Sequence, residues 1–278
     1  MRVWITGVCG FIGSHLAEAY ETAGHKVAGV DTLETGLREN WPWFVHADVA
    51  DRARLEEAAA HVRPELILHC AASYKDPEAW ERDVATNVTG AANVAAVART
   101  HRARLTYFQT VLPPISSYAA SKLAGERYLR LARRPLSVYR LASVYGPRNL
   151  SGPVPTFYRQ LRAGEACHVV RDASRDFVYV DDLVRLVLSD THEEVDRGVR
   201  SGTETPISVL PALLAEAMEV EPTVRLHRRR PDDVARYEMN GPPLAEQTPL
   251  VEGIARAVAW YDEHGIGETY THLTLARR

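Results

Sequence analysis

The sequence predicts an α/β protein with a doubly wound parallel sheet, and three observations favour that fold class. Segments typical of strands and of helices alternate through the first half of the chain. The strand segments are apolar almost throughout, as expected of strands that helices cover on both faces. A glycine-rich turn joins the first strand segment to the first helix segment, a common feature of such folds.

The predicted elements follow one another in a regular order. The strands are "RVWIT" (2–6), "KVAGVD" (26–31), "ELILHCAA" (65–72) and "RLTYFQT" (104–110). The helices between them are "SHLAEAYETAG" (14–24), "ARLEEAAAHV" (53–62) and "NVTGAANVAAVARTH" (87–101). Gly24 ends the first helix and Pro64 closes the second, because neither residue continues a helix well. Strands separated by helices in this way run parallel to one another.

Composition excludes several classes of protein. The chain has 278 residues, of which 46% are apolar and 25% charged, with a net charge of −3. These values are typical of a globular protein, and they argue against a nucleic-acid or acidic-membrane partner. No apolar run approaches the ~18 residues of a membrane-spanning helix, and no secretory signal opens the sequence. The three cysteines are far apart, which suits a reducing cytoplasm, and no HExxH or similar motif predicts a metal site.

The first turn reads "TGVCGFIG" (6–13), with glycines at Gly7, Gly10 and Gly13. Between a strand and a helix, such glycines let a pyrophosphate reach the helix N-terminus, although the spacing alone also fits an ordinary turn. Asp31 ends the second strand, where its carboxylate can accept hydrogen bonds from ribose hydroxyls and repel a 2′-phosphate. The turn and Asp31 together predict NAD rather than NADP, unless Asp31 is simply a solvated strand end.

A second acidic residue follows the third strand. Asp48 stands in "HADVAD" (46–51), where a carboxylate can contact the edge of an adenine. A helix N-cap is the alternative role for this aspartate.

A tyrosine and a lysine lie one helical turn apart in "SSYAASKLAGE" (116–126). Tyr118 and Lys122 fall on the same face of the predicted helix, so an ammonium can lie near a phenol. Lys26, Lys75 and Lys122 are the only lysines, against an arginine-rich background that a GC-rich genome also explains. A phenol beside a positive charge can act as a base.

Six motifs occur together in one order. They are "TGVCGFIG", "HCAA", "NVTGAANV", "SSYAASKLAGE", "SVYGPRN" and "RDFVYVDD". In this combination the chain resembles the extended short-chain dehydrogenase/reductases, the NAD-dependent nucleotide-sugar epimerase and dehydratase family. The likeness covers residues 1 to about 265.

The resemblance implies a two-part architecture. A Rossmann-type NAD-binding domain is expected at 1–147, with the chain returning to it around 176–200. Residues 148–278 are expected to form mainly a smaller C-terminal substrate-binding α/β domain. The helices containing "NVTGAANVAAVARTH" and "SYAASKLAGERYLRLA" pair across a homodimer interface in related enzymes, so a homodimer is expected here. A cytoplasmic location is also expected.

The resemblance assigns roles to residues of the first domain. Tyr118 is the expected catalytic base, with Lys122 and the positive nicotinamide lowering its pKa. Thr110 matches a strand-end serine or threonine that hydrogen-bonds the reacting oxygen, although it can also be a strand-end residue without chemistry. The expected NAD-binding residues are Gly7, Gly10, Phe11, Ile12, Gly13, Asp31, Asp48, Val49, Ala71, Ala72, Tyr118 and Lys122.

The same resemblance places the nucleotide-sugar substrate in the second domain. Arg175 and Arg230 match positions that bind the substrate diphosphate, to which planar guanidinium groups are well suited. Each arginine can instead form a surface ion pair with Asp176 or Asp232. Ser143 stands where the family usually has an asparagine that contacts the substrate, so its role is open.

The reaction is predicted from the residues after Thr110. Related 4,6-dehydratases place an Asp-Glu pair there to move protons, whereas this chain has Val111 and Leu112. Two apolar side chains cannot transfer protons, which favours a nucleotide-sugar 4-epimerase that forms a 4-keto intermediate. An NAD-dependent dehydrogenase or reductase acting on a similar substrate is the alternative, and a catalytically idle dinucleotide-binding protein is a third reading.

Three segments look short for this family. They are the link between Thr110 and Tyr118, "RGVRSGTETPIS" (197–208) and "YEMNGPPLAEQTPLVEGI" (237–254). The second leaves almost no room for an expected strand, and a lost core strand leaves its neighbours with unpaired backbone groups. We therefore hypothesise that residues of a longer protein are missing at these places.

Overall fold

The computed structural model describes residues 1–74, 76, 78–192, 194–228, 235–236, 239 and 241–270. The chain forms two compact units. The first consists of 1–141 and 184–197, and the second of 142–183 and 198–278.

A seven-stranded sheet forms the centre of the first unit. Its strands are β1 (Arg2–Thr6), β2 (Lys26–Asp31), β3 (Val45–His46), β4 (Leu66–His69), β5 (Arg104–Thr110), β6 (Leu136–Leu141) and β10 (Asp196–Val199). Their order across the sheet is β10-β6-β5-β4-β1-β2-β3. The pairings from β6 to β3 are parallel. The doubly wound α/β fold class is therefore confirmed.

Helices connect these strands. They are α1 (Phe11–Thr22), α2 (Arg52–Val62), α3 (Trp80–Asp83), α4 (Gly90–His101) and α5 (Ser117–Leu131), with α7 (Val180–Ser189) preceding β10. A π-helical segment, Val84–Thr89, joins α3 to α4. Trp4, Ile67, Leu105 and Val138 lie in one buried cluster with side chains of α2, α4 and α5, because both faces of the central strands are apolar.

The strand that the sequence failed to predict is present at one edge of the sheet. β10 is the edge strand beside β6, and the Val138 N–H donates to the Val195 carbonyl. Leu244 N–H donates to Arg200 just beyond β10. Residues 197–208 were expected to leave almost no room for this strand, and that expectation is wrong because β10 occupies Asp196–Val199. The hypothesis that residues of a longer protein are missing stays a prediction. The third short segment lies partly outside the described residues.

The second unit has its own sheets and core. Its strands are β7 (Ser143–Tyr145), β8 (Cys167–Val170), β9 (Ser174–Tyr179), β11 (Glu204–Pro206) and β12 (Val224–His227), and its helices are α6 (Pro153–Arg162), α8 (Leu210–Met218) and α9 (Leu250–His264). β9 lies between β11 and β7, and β12 pairs with β8. Tyr261 is fully buried on α9, where its hydroxyl donates to the carbonyls of Gly146 and Asn149.

Within the described ranges, no helix combines the length and the apolar character needed to cross a membrane. The same residues contain no group of three or more His, Cys, Asp or Glu side chains arranged to hold a metal ion.

Candidate active site

The glycine turn brings the start of α1 close to the carboxyl end of β1. Gly7 has a φ of 70°, which favours glycine. A Cβ built on Gly13 would lie only 2.0 Å from the Gly7 carbonyl oxygen, so any side chain there would separate α1 from the turn. Gly10 is the N-cap of α1 and supplies no side-chain cap. The first N–H groups of α1 therefore have no capping side chain, as an anion site at a helix N-terminus requires.

Asp31 is buried at the end of β2 and connects this strand to the turn. Its Oδ2 accepts a hydrogen bond from Cys9 N–H at 2.9 Å, and its Oδ1 accepts one from Leu33 N–H at 2.7 Å. Burial raises the pKa of Asp31, with the backbone N–H donors of Leu33, Cys9 and Thr32 opposing that rise. Each carboxylate oxygen can accept a further hydrogen bond, so the position suits a ribose hydroxyl.

Asp48 follows β3 at the same edge of the sheet. Asp51 is the N-cap of α2 and accepts from Arg54 N–H, so the alternative of a helix cap does not apply to Asp48. Asp48 instead accepts from Ala50 N–H at 2.8 Å and from the Arg82 guanidinium at 2.8 Å. Although burial acts to raise the pKa of this carboxyl, Ala50 and Arg82 together lower it.

The other expected cofactor residues lie on the same edge. Ala71 and Ala72 follow β4, and a Cβ on Gly7 would lie 2.8 Å from the Ala71 nitrogen, so these two backbones pass in close contact. Val49 is buried, and Asn93 Nδ2 donates to its carbonyl at 2.9 Å. Phe11 and Ile12 form the first turn of α1. Parallel strands present their carboxyl ends at one edge, which is why distant sequence positions meet here.

Tyr118 and Lys122 occupy the first two turns of α5. Ser116 caps the helix, its Oγ accepting from Ala119 N–H at 3.2 Å. Lys122 is 3% exposed, and its Nζ lies 4.0 Å from the centroid of the Tyr107 ring. Burial lowers the pKa of Lys122 to about 7, against the opposing influence of Cys70 and Glu126. The Nζ atom of Lys122 thus contacts the aromatic face of Tyr107 on β5, and spacing along the sequence does not indicate this contact.

The pKa of Tyr118 does not move in the direction expected from a neighbouring Lys122 ammonium. Burial raises it above its ordinary value, and the nearby Tyr74 and Asp83 add to that rise. The loss of phenolate hydration on burial is the main cause. A base at this position therefore needs a further positive charge.

Thr110 ends β5 and lies in the turn that leads to α5. Its N–H donates to Gln109 Oε1 at 2.9 Å, and its Oγ1 accepts from Leu112 N–H at 3.1 Å. Gln109 Nε2 and the Tyr107 hydroxyl both donate to the Lys122 carbonyl, which ties β5 to α5. Because a hydroxyl can donate while it accepts, Thr110 retains a proton for a substrate oxygen.

Other polar residues of the site were not anticipated from the sequence. Asn87, in the π-helical segment, donates from Nδ2 to Ser121 Oγ at 2.9 Å, and Ser121 Oγ donates to the Tyr118 carbonyl at 2.9 Å. His69 is buried, its Nδ1 lies 2.7 Å from Thr6 Oγ1, and burial lowers its pKa to about 3, with a further contribution from Lys122. The helical spacing of Tyr118 and Ser121 could have identified Ser121, but nothing local identifies His69.

The expected substrate residues of the second unit are only partly described. Ser143 begins β7, where it pairs with Phe177 of β9. Arg175 is buried on β9, and its Nη1 donates to the carbonyls of Ser174 and Ala235 at 2.7 and 3.1 Å. Asp176 accepts from the N–H groups at 201 and 202. Arg230 and Asp232 lie outside the described residues.

The arrangement in the first unit fits a dinucleotide. It combines an uncapped helix N-terminus, a turn in which a Cβ at Gly13 would meet backbone, and an acceptor at the end of the neighbouring strand. A pyrophosphate needs the first two features, and an adenosine ribose needs the third.

Comparison with known proteins gives the same assignment. The WbmH enzyme of Bordetella bronchiseptica, crystallised with NAD+, is 37% identical, with a TM-score of 0.85 over 95% of this chain and 99% of that one. WbmG from the same organism, crystallised with NAD and UDP, is 31% identical, with a TM-score of 0.87 over 99% of both chains. The UDP-glucose 4-epimerase of Mycolicibacterium smegmatis is 32% identical over 94% of this chain and 98% of its own length.

More distant relatives have other activities. A UDP-N-acetyl-alpha-D-glucosaminuronate decarboxylase of Bacillus cytotoxicus is 28% identical over 70% of this chain, and a probable dTDP-glucose 4,6-dehydratase of Sinorhizobium fredii is 26% identical over 95%. The family model for the NAD-dependent epimerase/dehydratase family matches residues 3–198, which include the glycine turn and α5. Since that match spans most of the chain and agrees with the site geometry, the chain belongs to the NAD-dependent epimerase/dehydratase family.

Proposed function

We propose that this chain is an NAD-dependent nucleotide-diphosphate-sugar 4-epimerase that acts through a transient 4-keto intermediate. The observation that carries the proposal is the set of groups around the end of β5. Tyr118 and Lys122 on α5 and Thr110 on β5 supply one base and one hydroxyl, while the next two residues, Val111 and Leu112, supply no acid. A 4-epimerase needs one proton acceptor, whereas a dehydratase needs further proton carriers.

The proposed reaction has two halves, and the same residues serve both. Tyr118, as phenolate, takes the proton of the sugar O4 hydroxyl while the hydrogen on C4 leaves as hydride, and it returns that proton when hydride is restored to the other face. Bound NAD supplies the acceptor and donor for that hydride. The Thr110 hydroxyl donates to O4. Burial raises the pKa of Tyr118, so the positive charge that the nicotinamide ring would bring would favour the phenolate.

The test is a screen of UDP- and dTDP-linked hexoses in D2O with NMR detection of the product. The expected product is the C4 epimer without deuterium on any carbon, since the hydride returns to the carbon that it left. Deuterium at a carbon next to C4 would indicate a dehydratase or another epimerase. Conversion without net NADH accumulation is also expected.

An NAD-dependent dehydrogenase or reductase on a similar substrate is the second candidate. Tyr118, Lys122 and Thr110 also serve a single hydride transfer, and the absence of acids at Val111 and Leu112 is equally compatible with it. This candidate requires NADH to accumulate in step with product, so one absorbance measurement distinguishes it from the epimerase.

We further propose that the first 147 residues hold NAD and that residues 148–278 mainly bind the nucleotide sugar. Arg175 is the described residue that we propose for the diphosphate, because a guanidinium offers several donors in one plane. Arg175→Lys is expected to raise KM with a smaller effect on kcat. An unchanged KM would remove Arg175 from the diphosphate site.

A homodimer is proposed from the outer face of α5. Leu123, Tyr128 and Leu131 are all exposed on this helix, and Leu131 is 68% exposed. Exposed apolar side chains grouped on one helix are typical of an interface. Sedimentation at micromolar concentration is expected to give a dimer for the parent chain and a shift toward monomer for Leu131→Glu. A parental monomer would refute the proposal.

A further inference from the structure

Arg82 joins two segments that lie far apart in the sequence. It is on α3, and its Nε and Nη2 donate to Glu34 Oε2 at 3.0 and 2.6 Å. Its Nη1 donates to Asp48 Oδ2 at 2.8 Å. Glu34 follows β2 and Asp48 follows β3, so all three guanidinium nitrogens are used to bridge the loops after two neighbouring strands.

This bridge lies at the adenosine end of the dinucleotide site. β2 and β3 pair in register at Val30 and Val45, so the loops that follow them leave the same edge of the sheet. Ligands of such sheets bind outside the carboxyl ends of the strands. Asp31 and Asp48 are the residues expected to contact the ribose and the adenine, and the Arg82 bridge includes one of them.

The chemistry of the bridge suits an adenine ring. A guanidinium held by two acids has a fixed plane, and such planes stack on flat aromatic faces. Asp48 keeps acceptor capacity for an exocyclic amino group, because its Oδ2 uses one hydrogen bond to Arg82 and its Oδ1 one to Ala50.

The bridge is also able to open. Roughly a third of the side-chain surface of Arg82 and of Asp48 is exposed, and 45% of that of Glu34. Partly exposed ion pairs stabilise the free protein little, so the loops can separate when a ligand enters, and the bridge gains strength once a bound ring covers it and excludes water.

We propose that Arg82 is a cofactor-binding residue that covers the adenine of NAD and, by bridging Glu34 and Asp48, slows its dissociation. The inference rests on NAD binding by this family and not on the 4-epimerase reaction. A slowly released cofactor suits an enzyme that must keep its reduced cofactor until the hydride is returned.

The test measures release of NADH from the purified protein without any sugar substrate, so it is independent of the proposed reaction. NADH fluorescence is followed while excess NAD+ displaces it. Arg82→Gln is expected to raise the release rate at least tenfold with little change in the association rate, and Arg82→Lys to lie between it and the parent. Arg54→Gln is the matched control, since Arg54 pairs with Glu57 at 2.7 Å and both side chains are about half exposed, and it should behave as the parent.

Two probes locate the effect. AMP should bind Arg82→Gln at least tenfold more weakly than the parent, whereas nicotinamide mononucleotide should bind both equally. Glu34→Gln, which keeps the Asp48 contact, should give a smaller change in the same direction and serves if Arg82→Gln fails to fold. If Arg82→Gln or Glu34→Gln released NADH at the parental rate, the bridge would be only a surface ion pair and the proposal would be wrong. Faster association with unchanged release would make it a barrier to entry and overturn the proposal.

Discussion

Glu126 is a buried, charged residue of the first unit. Changing it tests how charge pairing stabilises the region around the site. It lies on α5, one turn after Lys122, and only 3% of its surface is exposed. Arg140 donates to it from both terminal nitrogens at 3.1 Å, Arg130 donates at 2.8 Å and Gln109 at 3.0 Å. The substitution Glu126→Gln keeps the shape of the side chain and removes its charge.

The magnitude follows from the pKa. Burial alone would raise the pKa of Glu126, but Arg140, Gln109 and Arg130 outweigh it and lower the pKa from 4.5 to about 2. One pKa unit corresponds to about 1.4 kcal/mol, so the folded state favours the ionised form by about 3 kcal/mol. Glu126→Gln is therefore expected to lower the free energy of unfolding by about 3 kcal/mol at pH 7, and it leaves Arg130 and Arg140 with Asp196 as their remaining acidic partner.

The assay is urea denaturation at several pH values. A folded-state pKa below the unfolded value of 4.5 gives stabilisation that is complete above about pH 4.5 and is lost as the pH falls toward about 2. The difference between parent and Glu126→Gln should therefore shrink over that interval. Glu56→Gln is the control, because Glu56 pairs with Arg52 at 2.8 Å while 45% of its side chain is exposed, and it should cost less than about 0.5 kcal/mol.

Two results would refute this reasoning. One is a parental free energy of unfolding for Glu126→Gln at pH 7. The other is a difference that stays constant from pH 7 down to pH 3, which would assign the effect to shape rather than charge.

Three further predictions concern the site. Tyr118→Phe should keep NAD binding and lose turnover by several powers of ten in a single-turnover assay, since it removes the proton acceptor; near-parental turnover would place the base elsewhere. Calorimetry should show much tighter binding of NAD+ than of NADP+, with the gap narrowed in Asp31→Ala; equal affinities in the parent would contradict the role of Asp31. Gly125→Ala should lower the free energy of unfolding by about 1–3 kcal/mol, because its Cβ would lie 2.2 Å from the Asn87 carbonyl oxygen. An unchanged midpoint of thermal unfolding would show that α5 shifts freely to accommodate the methyl group.

Much of the first unit could be predicted because its signals are local. The strands at 26–31 and 104–110 were predicted with the bounds that the structure gives, since an apolar run between helices specifies a buried strand. β10 was missed because it has few apolar residues, and its partner strand, not its own pattern, stabilises it.

The sequence by itself determined the parallel α/β fold, the glycine turn before α1 and the placement of Tyr118 and Lys122 on one helical face, because each follows from spacing along the chain. Only the tertiary structure decided the pKa directions of those two residues, the position of the Lys122 ammonium over Tyr107 and the bridge from Arg82 to Glu34 and Asp48. The physical reason is that desolvation and charge pairing depend on which distant segments the sheet brings together, and no local pattern records that.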